Sequence, residues 1–147
     1  MASILKVDTL TGVSTAGSIS VTGEGNSTTT NLQQGLAKAW CNFQQASTHA
    51  VRDSLNISSL NDDGSGLSDT NYTSSFANDD YVAGGHAGRQ GSSSITAYWL
   101  FPTADGGTIV YSTSSTSWTG GYSNGSSSDL GPFDMDLSLC TIHGDLA

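Results

Sequence analysis

The sequence predicts a mainly β protein: an antiparallel β-sandwich or barrel-like domain, preceded by an N-terminal β arm and a short helix. Three observations carry that expectation. Short segments alternate apolar and polar residues with the period of a half-buried strand. Clusters of Gly, Asn and Asp punctuate them roughly every ten residues, the rhythm of antiparallel sheet domains. Charged residues make up only 12% of the 147-residue chain, and three Trp, five Tyr and four Phe are spread through the alternating segments. The chain therefore has rings to bury and little charge to swell it.

Residues 1–30 read as an arm. Ile4, Leu5, Val7 and Leu10 make a short apolar strand, and Gly12 and Gly17 bracket a turn-rich link. Ile19 and Val21 alternate with Ser18, Ser20 and Thr22 as a second strand, ended by Gly23, Gly25 and Asn26. Two strands this short are not stable alone. They are expected to pair with other copies of the chain or with a larger assembly. Residues 31–38 read as a short helical connector capped by Thr30 or Asn31, with Leu32 and Leu36 on one face. Gly35 weakens this helix by about 1 kcal/mol relative to Ala. Its two leucines either pack on their own domain or meet in a three-fold bundle around an axis.

Residues 39–147 read almost wholly as strand and turn. Trp40 and Cys41–Phe43 open the domain, and Trp40 and Phe43 join Leu32 and Leu36 as expected core or trimer packing. Val51, Leu55 and Ile57 fall on one face of the next strand, opposite Arg52, Ser54, Asn56 and Ser58. Asp62-Asp63-Gly64-Ser65-Gly66 is turn chemistry, because Asp bonds its own turn and Gly takes positive φ. Tyr72 and Phe76 belong to the returning segment, Asn78–Asp80 turns, and Tyr81-Val82 starts a strand running into Gly84-Gly85. A loop over Gly88–Ser94 leads to Ile95–Phe101, a strand expected to be buried on both faces. Asp105-Gly106-Gly107 then reads as a hairpin turn, with Thr108–Thr113 as the partner strand. Ser112–Ser128 is a Ser/Gly-rich loop or hairpin tip bearing Trp118 and Tyr122. In the final strand Phe133, Met135, Leu137 and Leu139 alternate with Asp134, Asp136, Ser138 and Cys140.

Composition narrows the function. The chain holds 25 Ser and 17 Thr, while Leu, Ile, Val and Phe together make up just under a fifth of it. Aliphatic content that thin suggests a core shared between subunits, hence an oligomer. Net charge is -9, with Lys6, Lys38, Arg52 and Arg89 the only Lys and Arg residues, which argues against nucleic acid and against an anionic membrane surface. No run approaches the ~20 apolar residues of a membrane span, and the opening residues lack a signal peptide's apolar core, so assembly in a cytosol is expected. Cys41 and Cys140 show no metal-ligand spacing and read as buried thiols.

Candidate chemistry is sparse. Asp134 and Asp136 share one face of a strand, and Asp62/Asp63 and Asp79/Asp80 sit in turns, where Asp is expected for turn reasons alone. His49, His86 and His143 show neither HxH nor HExxH spacing, and no nucleophile motif occurs. No cofactor, metal or catalytic residue is expected. Trp118 and Tyr122 are the candidate receptor contacts, since aromatic rings stack on sugar faces while Ser, Gly and Asn supply adaptable hydrogen bonds. The competing reading has both rings plugging the domain's end or a subunit interface.

Five pieces carry a family resemblance: SILKVDTLTGVSTAGSISVTGEG (3–25), NLQQGLAKAWCNF (31–43), RDSLNISSLNDDGSG (52–66), FANDDYV (76–82) and HGDLA (143–147). In order and spacing they resemble short tail-fibre or virion-fibre structural proteins of tailed bacteriophages, with marine and cyanobacterial phages among the closest in flavour. Two departures stand out. Ser68 and Thr70 occupy positions where larger apolar residues are expected, and residues 86–132 match nothing of that pattern. The resemblance implies a non-enzymatic homotrimer, located in the virion and assembled in the host cytoplasm. Its N-terminal arm, through Ile4, Leu5, Val7, Leu10, Ile19 and Val21, would dock on other virion proteins, and its β domain would project toward a host surface glycan. A capsid decoration or head-fibre protein is the alternative within that class. A free carbohydrate-binding module is the alternative outside it, disfavoured by the arm.

Overall fold

The computed structural model describes residues 4–13, 19–23, 29–89, 97–103, 111–123 and 131–147, and over these the protein is mainly β with antiparallel sheets. The chain divides into two compact units, Met1–Leu36 and Ala37–Ala147.

In the first unit, β1 (Ser20–Thr22) pairs antiparallel with β2 (Thr29–Asn31), and the Leu32 amide donates to the Ile19 carbonyl at 2.8 Å. A single helical turn, α1 (Leu32–Gly35), follows. Three expectations are corrected here. Residues 4–13 adopt no strand, since a lone extended segment has no ladder to satisfy its amides and carbonyls. The strand at Ile19–Thr22 is not left without a partner in its own chain, because it pairs with Thr29–Asn31. The helix stops at Gly35, leaving Leu36 outside it and exposed, because one turn is too short to propagate and glycine is the worst helix former after proline.

The second unit contains β3 (Ala39–Gln44), β4 (Ala50–Leu55), β5 (Ile57–Gly64), β6 (Leu67–Tyr72), β7 (Val82–Gly88), β8 (Ala97–Phe101), β9 (Ser115–Ser123), β10 (Gly131–Pro132) and β11 (Leu137–His143). One sheet runs β4-β3-β11-β7. In the other, β9 is central, with β8 along one side and β6, then β10, along the other, and β5 outside β6. Their inner faces meet in one core. Ala39, Cys41, Phe43, Ala87, Cys140 and Ile142 come from the first sheet and Tyr72, Leu100 and Trp118 from the second, while Phe76, Tyr81 and Met135 enter from connections. The arrangement is sandwich-like.

Hydroxyls fill the space that aliphatics leave. Ser68, Thr70, Thr116 and Ser138 are fully buried, each bonded rather than stranded, which offsets the cost of taking a hydroxyl out of water. Thr116 Oγ1 is bonded by the Tyr72 hydroxyl and lies 2.6 Å from the Tyr81 hydroxyl. Gln45 is a keystone. Its Nε2 donates to the Gly66 carbonyl (2.9 Å) and to Ser68 Oγ (3.0 Å), while its Oε1 accepts from the Met135 amide and Ser138 Oγ.

The Asp62–Gly66 turn forms as its residues require. Gly64 and Gly66 take φ of 126° and 72°, and Asp62 Oδ1 accepts from the Gly64 amide at 3.1 Å. Gly66 is also the point of closest approach, because a Cβ there would strike the Phe133 amide and lie 2.5 Å from the Gly120 carbonyl.

Elsewhere the pattern misassigned faces. The expected strand through Val51, Leu55 and Ile57 is two strands in two sheets, broken at Asn56 with φ 59°. Asn tolerates that left-handed corner, and its amide grips Ser74 by two hydrogen bonds, of 2.7 and 3.0 Å. Val51 and Leu55 are both exposed, and a bulge between them at Asn42/Phe43 sets Leu55 opposite Trp40 and Val51 opposite Phe43. Trp40 lies on the outer face, opposite Leu55, while Phe43 is buried. Within the expected strand at 133–140, Asp134 Oδ1 accepts from the Gly66 amide at 2.6 Å and the Met135 carbonyl accepts from Gln45 and Ala46. That bend shifts the alternation by one, so Ser138, Cys140 and Ile142 point inward and Leu139 outward. Phe101 is exposed rather than buried, and β8 pairs with β9; residues 108–110 of the expected partner strand lie outside the described residues. The expected turn at 105–107 and the tip beyond Ser123 lie outside the described residues.

Candidate functional site

Trp118 and Tyr122 lie on a strand, not a loop. Both lie on β9, the central strand of its sheet. Trp118 has no exposed surface and its indole Nε1 donates to Thr70 Oγ1 at 2.9 Å, so it is core and not a receptor contact. The error has a physical source. Ser-, Thr- and Gly-rich sequence reads as loop, yet here the small hydroxyls line the interior and Gly120 and Gly121 make room for Gln45 and the Trp99 ring. Tyr122 is half-buried against the core, its ring edge-to-face with Phe133 at 5.1 Å. The exposed aromatic surface sits instead on β8, where Phe101 stacks with Trp99 at 6.4 Å.

Tertiary structure assembles one constellation that no sequence spacing announces. His49 Nε2 lies 2.9 Å from Ser68 Oγ, and His49 Nδ1 lies 3.2 Å from Asp62 Oδ2. Ser, His and Asp are thus joined in the order of a nucleophile relay. Access decides against that chemistry. Ser68 is 1% exposed and its Oγ also takes the Gln45 amide, so no carbonyl carbon can reach it. The relay ties the connection before β4 to the β5–β6 hairpin, a structural clip.

A second constellation is open to solvent. Arg52 and Arg89, the only two arginines of the chain, line one groove of about 380 Å³ together with Gly88, Asp136 and Leu137. Arg52 is the extra residue of the β4 bulge opposite Asn42/Phe43, and its Nη2 donates to Gln44 Oε1 (2.9 Å) and to the Asp136 carbonyl (2.7 Å). Arg89 follows the last residue of β7 and its guanidinium lies 4.4 Å above the Phe133 ring centroid. Tyr122 packs edge-to-face against Phe133, so the residue singled out in the sequence touches the ring that Arg89 covers. Among the described residues no group of three His, Cys, Asp or Glu side chains is placed to hold a metal ion. Asp134 is occupied by the Gly66 amide while Asp136 lines the groove, so the two do not act as a pair.

Of the residues proposed for packing, Phe43 is in the core, Trp40 is on the outer face, Leu32 is half-buried and Leu36 is exposed. Cys41 and Cys140 face each other across β3 and β11 as free, buried thiols. Burial, with Asp53 nearby, pushes Cys41 up to about 11, and burial likewise raises Cys140.

No protein-family model matches the chain, no curated protein is similar to it, and no solved structure matches it.

Proposed function

We propose that the chain is a non-enzymatic structural protein of a bacteriophage particle, a homotrimeric fibre or spike with its N-terminal arm joined to other virion proteins and its β domain facing outward. One observation carries the reading: Ile4, Leu5, Val7, Leu10 and Val13 are all more than half exposed in the single chain, from 55% for Leu10 to 101% for Val13. An apolar segment with no cover of its own is built to be covered by something else. The outer face of the β4-β3-β11-β7 sheet adds support, since Leu55, Val82 and Leu139 are exposed on it beside Trp40. Several copies would multiply a weak individual contact with a host surface through avidity.

Light scattering on the purified protein tests the assembly, with an expected mass near three times the 15.1 kDa chain. A stable monomer at micromolar concentration overturns the trimer. Deleting residues 1–30 tests the arm: the β domain should stay folded by circular dichroism and no longer enter particles. Normal incorporation would remove the docking role.

A further inference from the structure

We infer that the groove between Arg52 and Arg89 is a binding site for a carboxylated saccharide, a uronic-acid unit being the simplest case. Charge placement is the first support. The chain carries thirteen acidic residues and only two arginines, and both guanidinium groups line this one groove. A guanidinium presents five donors in a planar fork that matches a carboxylate, unlike the point charge of lysine.

Preorganisation is the second support. Arg52 is held by two hydrogen bonds that use one nitrogen, Nη2, and so leave the other donors of the fork directed by a fixed side chain. Arg89 is held differently, by the face of Phe133, which is itself fixed by Tyr122. A guanidinium bound through a ring face keeps its N–H edge available for an anion. Both cations thus lose less rotamer freedom on binding than free surface arginines would.

The rest of the lining selects a sugar over a bare anion. Asp136 also lines the groove, and its charge disfavours a compact, doubly charged anion such as phosphate more than a ligand carrying a single carboxylate. Leu137 and Gly88, paired across β11 and β7, supply an apolar side chain and a bare backbone against which the C–H face of a ring can lie. A volume of about 380 Å³ takes one or two sugar rings. A ligand with a carboxylate at one end and the C–H face of a ring beside it matches the two arginines, Leu137 and Gly88.

For biological sense the site rests on the host-contact part of the reading above, but its chemistry does not depend on particle assembly. The test therefore uses the isolated full chain. Titrations followed by NMR or calorimetry would compare a galacturonate oligosaccharide, the matching neutral galactose oligosaccharide, and inorganic phosphate. The expected result is saturable binding of the galacturonate, weakening with added salt, with the neutral sugar at least about tenfold weaker. R52Q and R89Q should each weaken galacturonate binding about tenfold while circular dichroism stays unchanged, and R52K should restore only part of it. K38Q, outside the groove, should bind like the parent. Phosphate binding as tightly as galacturonate would overturn the saccharide assignment. Equal binding of the neutral sugar, no binding of galacturonate, or indifference to both arginine substitutions would overturn the site. Trimer formation measured on the same samples would separate failure of this site from failure of the fibre reading.

Discussion

Trp118 Nε1 donates a 2.9 Å hydrogen bond to Thr70 Oγ1 between two neighbouring strands, at a point where neither residue has any exposed surface. The pair shows how a chain short of aliphatic residues builds an interior. A large ring supplies apolar area, and a small hydroxyl on the adjacent strand satisfies its one polar atom. Thr70 in turn donates to the Thr116 carbonyl, so a single hydroxyl serves both directions.

Replacing Thr70 with Val keeps the shape and removes the hydroxyl. Trp118 Nε1 is then buried without an acceptor, at an expected cost of about 1–3 kcal/mol. Urea unfolding of T70V reads this as a lower midpoint at unchanged slope. Stability equal to the parent would mean that the bond contributes nothing.

Gly66 and Gly84 offer a matched pair. Alanine at 66 meets positive φ and two backbone segments at once, and should cost more than about 3 kcal/mol or prevent folding. Alanine at 84, on an exposed strand position with open space around it, should stay within about 0.5 kcal/mol of the parent. Comparing thermal midpoints of G66A and G84A checks both, and a tolerant Gly66 would contradict the crowding at this turn.

The buried thiols set a pH dependence. Cys41 rises from 9.0 to about 11 on folding, chiefly by burial, so the folded state holds its proton where the unfolded state has released it. Stability from this group is complete below pH 9 and is lost as pH rises toward 11; Cys140 acts in the same direction. Native Cys41 also has roughly a hundredfold less thiolate than an unperturbed thiol at pH 8. A disulfide reagent should therefore label both cysteines slowly in buffer and fast in denaturant. Fast stoichiometric labelling of the native protein would show that the sheet face is open.

Ser68, His49 and Asp62 have the connectivity of a hydrolase relay without its access. A fluorophosphonate probe is expected to leave Ser68 unmodified under native conditions, as judged by intact mass. S68A should lower stability by about 1 kcal/mol, the usual size of one lost buried hydrogen bond. Stoichiometric phosphonylation at Ser68 would assign catalysis to this cluster.

Parts of this protein were legible residue by residue. The Asp62–Gly66 turn follows from side chains that dictate local backbone, and Phe43 and Cys41 are buried as expected, whereas the alternation in β3 turns Trp40, expected beside Phe43, to the other face. Ser68 and Thr70 stand out in the sequence as small polar residues where apolar ones are expected, and both point inward. What they bond to was not legible, because Gln45, His49 and Trp118 come from other strands. The arginine groove was equally hidden: Arg52 and Arg89 sit on the two edge strands or just beyond, with β3 and β11 between them, and only the assembled sheet brings them to one groove.

By itself the sequence determined a mainly β chain, its strongest turn and its hydroxyl-rich, charge-poor character. Those properties are local or additive, so they need no partner to be read. Tertiary structure decided which face of each strand is inside, where Asn56 sends the chain from one sheet to the other, and that Trp118 is core. The reason is energetic. A Ser or Thr that finds a buried partner is nearly as acceptable inside as a small apolar residue, so alternation alone leaves the choice of face open until the strands pair.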